Sequence, residues 1–228
     1  MAFQIQGNGG VVAEVGGTTF RALKVSPMPI DHGALGFYQV AMTSGTLAAA
    51  LAASAVLFTF RWGDATNLAV VTSIKATFKP LTPFTAATLT DFGFDAFVGR
   101  TYSASYTGGT QATLTGNSMK TRTSMGTALV TDVRMATTTG LTVGTITLDG
   151  NAFASSIGYP QRVNPVAATE EILPAIPVIN WSADTANGGH PLVFAQNEGF
   201  VIRNRTVWPA AGTGILQAEV RWAGVVAY

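Results

Sequence analysis

The 228-residue chain contains no cysteine, which excludes disulfides and thiolate chemistry and leaves the redox compartment unread. Charge is scarce too. Charged residues make up 11% of the sequence, where an average soluble domain carries roughly 25%. The 13 Lys and Arg nearly cancel the 12 Asp and Glu, leaving a net charge of +1. No strong field exists to draw in DNA, RNA or an anionic membrane, so neither nucleic acid nor membrane is expected as a partner. Long apolar runs are missing: Leu47 to Phe58 is the longest, falls short of a bilayer and contains Ser54. The opening Met-Ala-Phe-Gln-Ile-Gln-Gly lacks the basic and apolar regions of a secretory signal. Asn180-Trp-Ser182 and Asn204-Arg-Thr206 therefore read as chance matches to the glycosylation pattern.

What is plentiful is apolar and β-prone. Hydrophobic residues reach 47%, enough for a sizeable core. With so few charges, the surface must be built largely from Ser, Thr, Gly, Asn and Ala, a weakly hydrated surface suited to lateral contact with other subunits. The closing stretch is the most legible. Leu216, Ala218, Val220, Trp222, Gly224 and Val226 share one parity, and Gln217, Glu219, Arg221 and Ala223 share the other. Side chains alternate faces along a strand, so this is one long strand with an apolar and a polar side. Leu192 to Phe194 and Phe200 to Ile202 are shorter β-prone runs. The turn residues Gln196-Asn-Glu-Gly199 separate them, which predicts two or three adjacent antiparallel strands at the end of the chain.

The same alternation recurs upstream. Residues 1–30 read as an N-terminal arm with a first hairpin: Phe3 and Ile5 alternate with glutamines, and Gly7-Asn-Gly-Gly10 turns the chain. Val11 to Val15 and Thr18 to Val25, split by Gly16-Gly17, read as a hairpin. Residues 35–43, Val56 to Trp62, Leu68 to Phe78, Phe92 to Val98, Leu129 to Met135 and Leu141 to Leu148 all read as strands. Ser44 to Ala55 is rich in strong helix formers, but its setting between strands predicts a short helical turn or an ordered crossover loop. Pro80 to Ala87 reads as loop, and residues 103–126 as a long surface excursion. Residues 155–190 are broken by Pro160, Pro165, Pro174 and Pro177. Their Ile172, Leu173, Ile176, Val178 and Ile179 would be costly to expose, so the segment is expected to pack over the same core rather than link two domains. About ten short strands with hardly any helix predict an all-β fold. The expected form is an antiparallel two-sheet sandwich of jelly-roll or Greek-key type, a single domain over residues 1–228.

Catalytic signatures are missing. The chain has no nucleophile elbow, Walker loop, Rossmann glycine pattern or His-Glu-x-x-His. Asp31-His32 is the one local acid–His pair, and both His32 and His190 read as loop histidines bonded to backbone. Two distant histidines without cysteine predict no zinc site and no cofactor. Glu170 and Glu171 point to opposite faces of a strand, whereas Asp91 and Asp95 share a parity. A glycosidase would need such acids across a cleft; solvated polar positions are the simpler reading. Lys120, Arg122, Arg100 and Arg134 would make at most a modest basic patch, with surface or inter-subunit hydrogen bonding as the plainer role. Trp62 and Trp222 lie on core faces, while Trp208, beside Pro209, reads as the exposed tryptophan.

The run His190-Pro-Leu-Val-Phe-Ala-Gln-Asn-Glu-Gly-Phe-Val-Ile-Arg203 and the ending Val220-Arg-Trp-Ala-Gly-Val-Val-Ala-Tyr228 carry a resemblance over most of the chain. The opening Phe3-Gln-Ile-Gln-Gly7 and the segment Lys120-Thr-Arg-Thr-Ser-Met-Gly126 belong to the same pattern. Together they resemble structural proteins of tailed bacteriophages. The resemblance implies a non-enzymatic β-sandwich decoration (cement) protein, frequently trimeric, on the exterior of the virion head and made in the host cytoplasm. The implied partners are the major capsid protein and further copies of the chain, with Phe3, Ile5, Lys120 and Arg122 as interface residues. The alternative within the same group is a tail-fibre module that recognises a host glycan through Trp208 or Tyr159. A β-sandwich hydrolase using Asp91 and Asp95, or Asp31 and His32, is the third expectation.

Overall fold

Alternating apolar residues build two facing sheets. A computed structural model describes residues 5–6, 12–13, 35–85, 92–158, 175–183 and 190–226. The chain divides into two units, Met1–Asp31 and His32–Tyr228. In the first, β1 (Ile5–Gln6) pairs antiparallel with β2 (Val12–Ala13). The proposed hairpin over Val11 to Val25 lies mostly outside the described residues.

The second unit begins with β3 (Phe37–Thr43), β4 (Val56–Trp62), β5 (Leu68–Thr85), β6 (Phe92–Ala104) and the two-residue β7 (Thr110–Gln111). It continues with β8 (Val130–Met135), β9 (Thr145–Leu148), β10 (Ala154–Gly158), β11 (Ile176–Ser182), β12 (Leu192–Phe194), β13 (Glu198–Asn204) and β14 (Ala211–Val225). One sheet runs β11-β5-β14-β3, with β12 also on β5. The other runs β10-β6-β13-β4-β8-β7, with β9 also on β6. Every described pairing is antiparallel, and neighbours are mostly distant in sequence. The fold is the expected all-β two-sheet sandwich, without helix among the described residues.

The core lies between the sheets. From the five-stranded sheet come Ile74, Phe78, Leu216, Val220 and Trp222; from the other come Phe58, Phe60, Phe94, Phe200 and Ile202. The Phe60 and Trp222 rings meet edge to face across the layers, with centroids 5.2 Å apart. Each such ring removed from water contributes about 1.5–3 kcal/mol. The parity read along β14 holds through Trp222, but a bulge between Arg221 and Trp222 shifts the register. Beyond it Ala223 and Val225 are buried and Val226 is exposed.

Three local expectations need correction. Pro80 does not end the strand, because β5 continues to Thr85. Pro80 lies opposite Gly214, where β14 is bulged between Ala211, Thr213 and Gly214, and a bulge tolerates a residue that cannot donate to the ladder. The terminal strands are not neighbours either. β12 pairs with β5 and β13 with β4 and β6, so Gln196-Asn197 is a corner between the sheets rather than a hairpin. Phe194 and Phe200, on either side of it, stack at 6.2 Å inside the sandwich. Third, residues 155–190 are not merely a connection, since they include β11 and all of β10 but its first residue, and Val178 and Ile179 are buried.

Residues 44–55 form an ordered crossover between the sheets. Ala50 and Ser54 adopt φ of 54° and 58°, which no right-handed helix accommodates. Tertiary backbone bonds replace the helical ones: Leu47 donates to Gly214 O, Ala48 to Thr138 O and Ala50 to Pro209 O, each at 2.8 Å.

Candidate functional site

The two sheets differ on their outer faces. On the seven-stranded sheet the outward residues Leu57, Thr59, Phe97 and Val201 are buried. They are covered because the chain folds back over them. Arg61 donates from Nε to Tyr102 O at 2.6 Å and from Nη2 to Ser103 O at 2.7 Å, pinning residues 102–105 across the sheet. β9 pairs with the end of β6, at Gly99, Arg100 and Ala104. The Tyr102 phenol is pushed up to about 12 by burial and stays neutral at physiological pH.

The five-stranded sheet is covered only in part: at one end its outward Val70 and Ala223 are fully buried, while its middle lies open among the described residues. Cross-strand partners share a face, and two polar rows cross four strands. One joins Gln39, Arg221, Ser73 and Ser182; the next joins Ala41, Glu219, Lys75 and Asn180. Gln39, Ala41, Lys75, Asn180, Ser182 and Arg221 are exposed. Glu219 accepts from Arg221 Nε at 2.8 Å, an exposed pair of small energetic weight. Lys120 is half-buried at the margin, in a cleft of about 340 Å³ with Gln39, Glu219 and Arg221. Gln39 N donates to Met119 O at 2.9 Å, so the segment before Lys120 extends this sheet beyond β3. The result is a broad pleated face of hydroxyls, amides and few charges.

The other sequence candidates do not converge on it. Phe3, Asp31, His32, Asp91, Tyr159, Glu170 and Glu171 lie outside the described residues, as does the side chain of Ile5. Arg122 is exposed on the loop after Lys120. Arg100 is engaged by Glu198 at 2.5 Å and Asp149 at 3.4 Å, and Arg134 by Asp132 at 3.4 Å, so the basic patch is not assembled. His190 Nδ1 lies 2.7 Å from Pro191 O, the loop histidine expected. No group of three His, Cys, Asp or Glu able to hold a metal occurs among the described residues.

Trp208 corrects the sequence reading outright. It is 3% exposed, wedged against Phe78, Phe84, Phe92 and Phe94 at centroid distances of 5.0–6.3 Å. Its backbone N donates to Leu51 O at 2.9 Å, so the crossover loop holds it in. It is therefore unavailable as a sugar platform. No protein-family model, curated protein or solved structure matches this chain.

Asp95 is likewise structural. Its Oδ1 accepts from Arg205 Nη2 at 2.6 Å and from Ser155 Oγ at 2.8 Å, tying β6 to β10. Burial works to raise the carboxyl, but hydrogen bonds from Arg205 and Ser155 and the charges of Arg205 and Arg203 hold it below the usual carboxylate value. A carboxylate held low in the folded state adds stability above its unfolded pKa and loses it as pH falls through the folded value. Wild type is therefore expected to lose stability on acidification below about pH 4. A pH series of melting temperatures should show a flatter acid limb for Asp95→Asn; an unchanged limb would assign the effect to other carboxylates.

Sequence reasoning passed over Glu219, Arg221 and Arg203 as site candidates. Their signal was a place on the polar parity of a strand, which every solvent-facing residue shares.

Proposed function

We propose that the chain is a non-enzymatic phage structural protein that decorates the outer capsid lattice and stabilises the shell. The observation that carries the reading is the asymmetry of the sandwich: among the described residues one sheet is covered on its outer side, while the middle of the other presents an open polar face beside the buried Val70 and Ala223. A lattice-binding module needs one broad, weakly charged surface that many copies can present identically, and little else. Lys120 at the margin of that face is also a residue of the phage-like segment. Decoration acts by mass action, since binding the assembled shell but not its separated subunits shifts the equilibrium toward the shell. The partners in this reading are the major capsid protein and further copies of the chain, as a trimer, on the virion exterior. Burial of Trp208 removes one of the two anchors of the glycan alternative, and Asp95 is committed to Arg205 rather than to a cleft, which weakens the hydrolase.

The test mixes the purified protein with undecorated heads. Binding and a raised disruption temperature are expected for wild type. The surface double variant Lys75→Glu/Arg221→Glu should keep its folding stability within about 0.5 kcal/mol for each change. It should bind heads at least about tenfold more weakly, as expected when rim charges are reversed. Wild-type protein that neither binds heads nor protects them would end the decoration reading. Unaltered binding by the double variant would move the contact to another surface.

A further inference from the structure

Beneath the crossover loop lies a cavity of about 570 Å³, unrelated to the open face. One wall is Ala48 to Ala52, the other Gly140, Leu141, Val143 and Leu148, with Arg203 and Tyr106 between them. The volume is in the range of small-molecule sites. Among the described residues of the lining, Arg203 alone is charged. Its guanidinium stacks on the Phe97 ring at 4.0 Å. Its Nε is buried and has no hydrogen-bond partner among the described residues. The carboxylate facing it across the strand pair, Asp95, is held by Arg205 and Ser155. A half-buried guanidinium with an unmet donor is costly unless something arrives to accept from it. The rest of the described lining is mostly apolar, with the hydroxyls of Ser54, Tyr106 and Thr139 as its other polar side chains.

We propose that this cavity binds a hydrocarbon chain ending in a carboxylate, with the carboxylate on Arg203 and the chain along the alanine wall. A planar guanidinium matches a carboxylate in shape and charge. An extended peptide fits less well, because several of the wall's backbone groups that it would pair with are already engaged. Ala48 N, Ala50 N and Ala55 N already donate to Thr138, Pro209 and Ala52 carbonyls. The carbonyls of Leu51, Ala55 and Val56 already accept from Trp208, Asn204 and Leu141. A fatty acid brings no backbone to satisfy.

The experiment titrates decanoate, decanol and the peptide acetyl-Leu-Glu-Leu-amide into full-length protein with labelled alanine methyls, read by NMR. Decanoate is expected to saturate one site and shift the methyls of Ala48, Ala49 and Ala52. Decanol should bind about 10- to 100-fold more weakly, the range of one hydrogen-bonded charge contact. Arg203→Gln should bring decanoate down to the decanol value. Ala49→Leu, which fills the hydrocarbon end and keeps Arg203, should weaken both ligands together. Both variants are checked for an unchanged methyl spectrum away from the cavity. Equal binding of decanoate and decanol would overturn the proposal, as would binding indifferent to both substitutions, no saturable binding, or tighter binding of the peptide than of decanoate. The result is independent of head binding, so either reading can fail without the other.

Discussion

Trp208→Ala is expected to lower folding stability by about 3–5 kcal/mol, the range for removing a large aromatic side chain from a packed core. The reason is the company the ring keeps. Phe78 and Phe84 meet it edge to face at 5.3 Å, and Phe92 stacks on it at 5.0 Å. These rings come from both sheets, since Phe78 and Phe84 lie on β5 and Phe92 on β6. Their backbones are held in sheet ladders and cannot collapse into the void. The loss should appear as a fall in melting temperature of roughly 2–4 °C for each kcal/mol in a chain of this size. Calorimetry and urea unfolding would measure it. A variant that melts with wild type would place Trp208 at the surface and reopen a binding role for it.

A second large effect is expected at a glycine in the middle of the other sheet. Gly199 lies on β13 between β4 and β6, paired with Arg61 on one side and Gly99 on the other. A Cβ at Gly199 would lie 2.0 Å from the Phe60 carbonyl oxygen and 3.1 Å from the Arg61 Cα. Both atoms are backbone of the adjacent strand, so no rotamer change relieves the clash. Gly199→Ala must push two hydrogen-bonded strands apart, at a cost of about 3 kcal/mol, the upper end of ordinary overpacking. The control is Gly150→Ala, where nothing lies within 4 Å of the new methyl. That change should stay within about 0.5 kcal/mol. Denaturant midpoints of the two variants compared with wild type decide the matter; equal midpoints would refute the close packing at Gly199.

The strands were legible where alternation is strict. Leu216 to Trp222 announced its buried side because every second residue is apolar, and the structure buries those positions. Legibility failed where both sides of a strand are covered. Along β6 every residue from Phe92 to Gly99 is buried, including Asp95, which alternation placed on a solvent face. Nothing local announces that residues 102–105 will be pinned across the seven-stranded sheet by Arg61. The corner at Gln196-Asn197 failed for a related reason: turn residues say that the chain reverses, not whether the next strand joins the same sheet. Trp208 failed because an adjacent proline marks a loop, and loops are usually exposed, whereas this one is roofed by the crossover at Leu51.

By itself the sequence determined the class of fold. Its two-residue periodicity, scarce charge and absent cysteine leave stacked antiparallel sheets as the way to bury so much apolar surface, and that information is local. Which sheet is left open, where a guanidinium meets an apolar cavity, and which aromatic is sealed in were decided only by tertiary structure. Those outcomes depend on contacts between residues such as Arg61 and Tyr102, or Trp208 and Leu51, that lie far apart along the chain and meet only after the sheets have stacked.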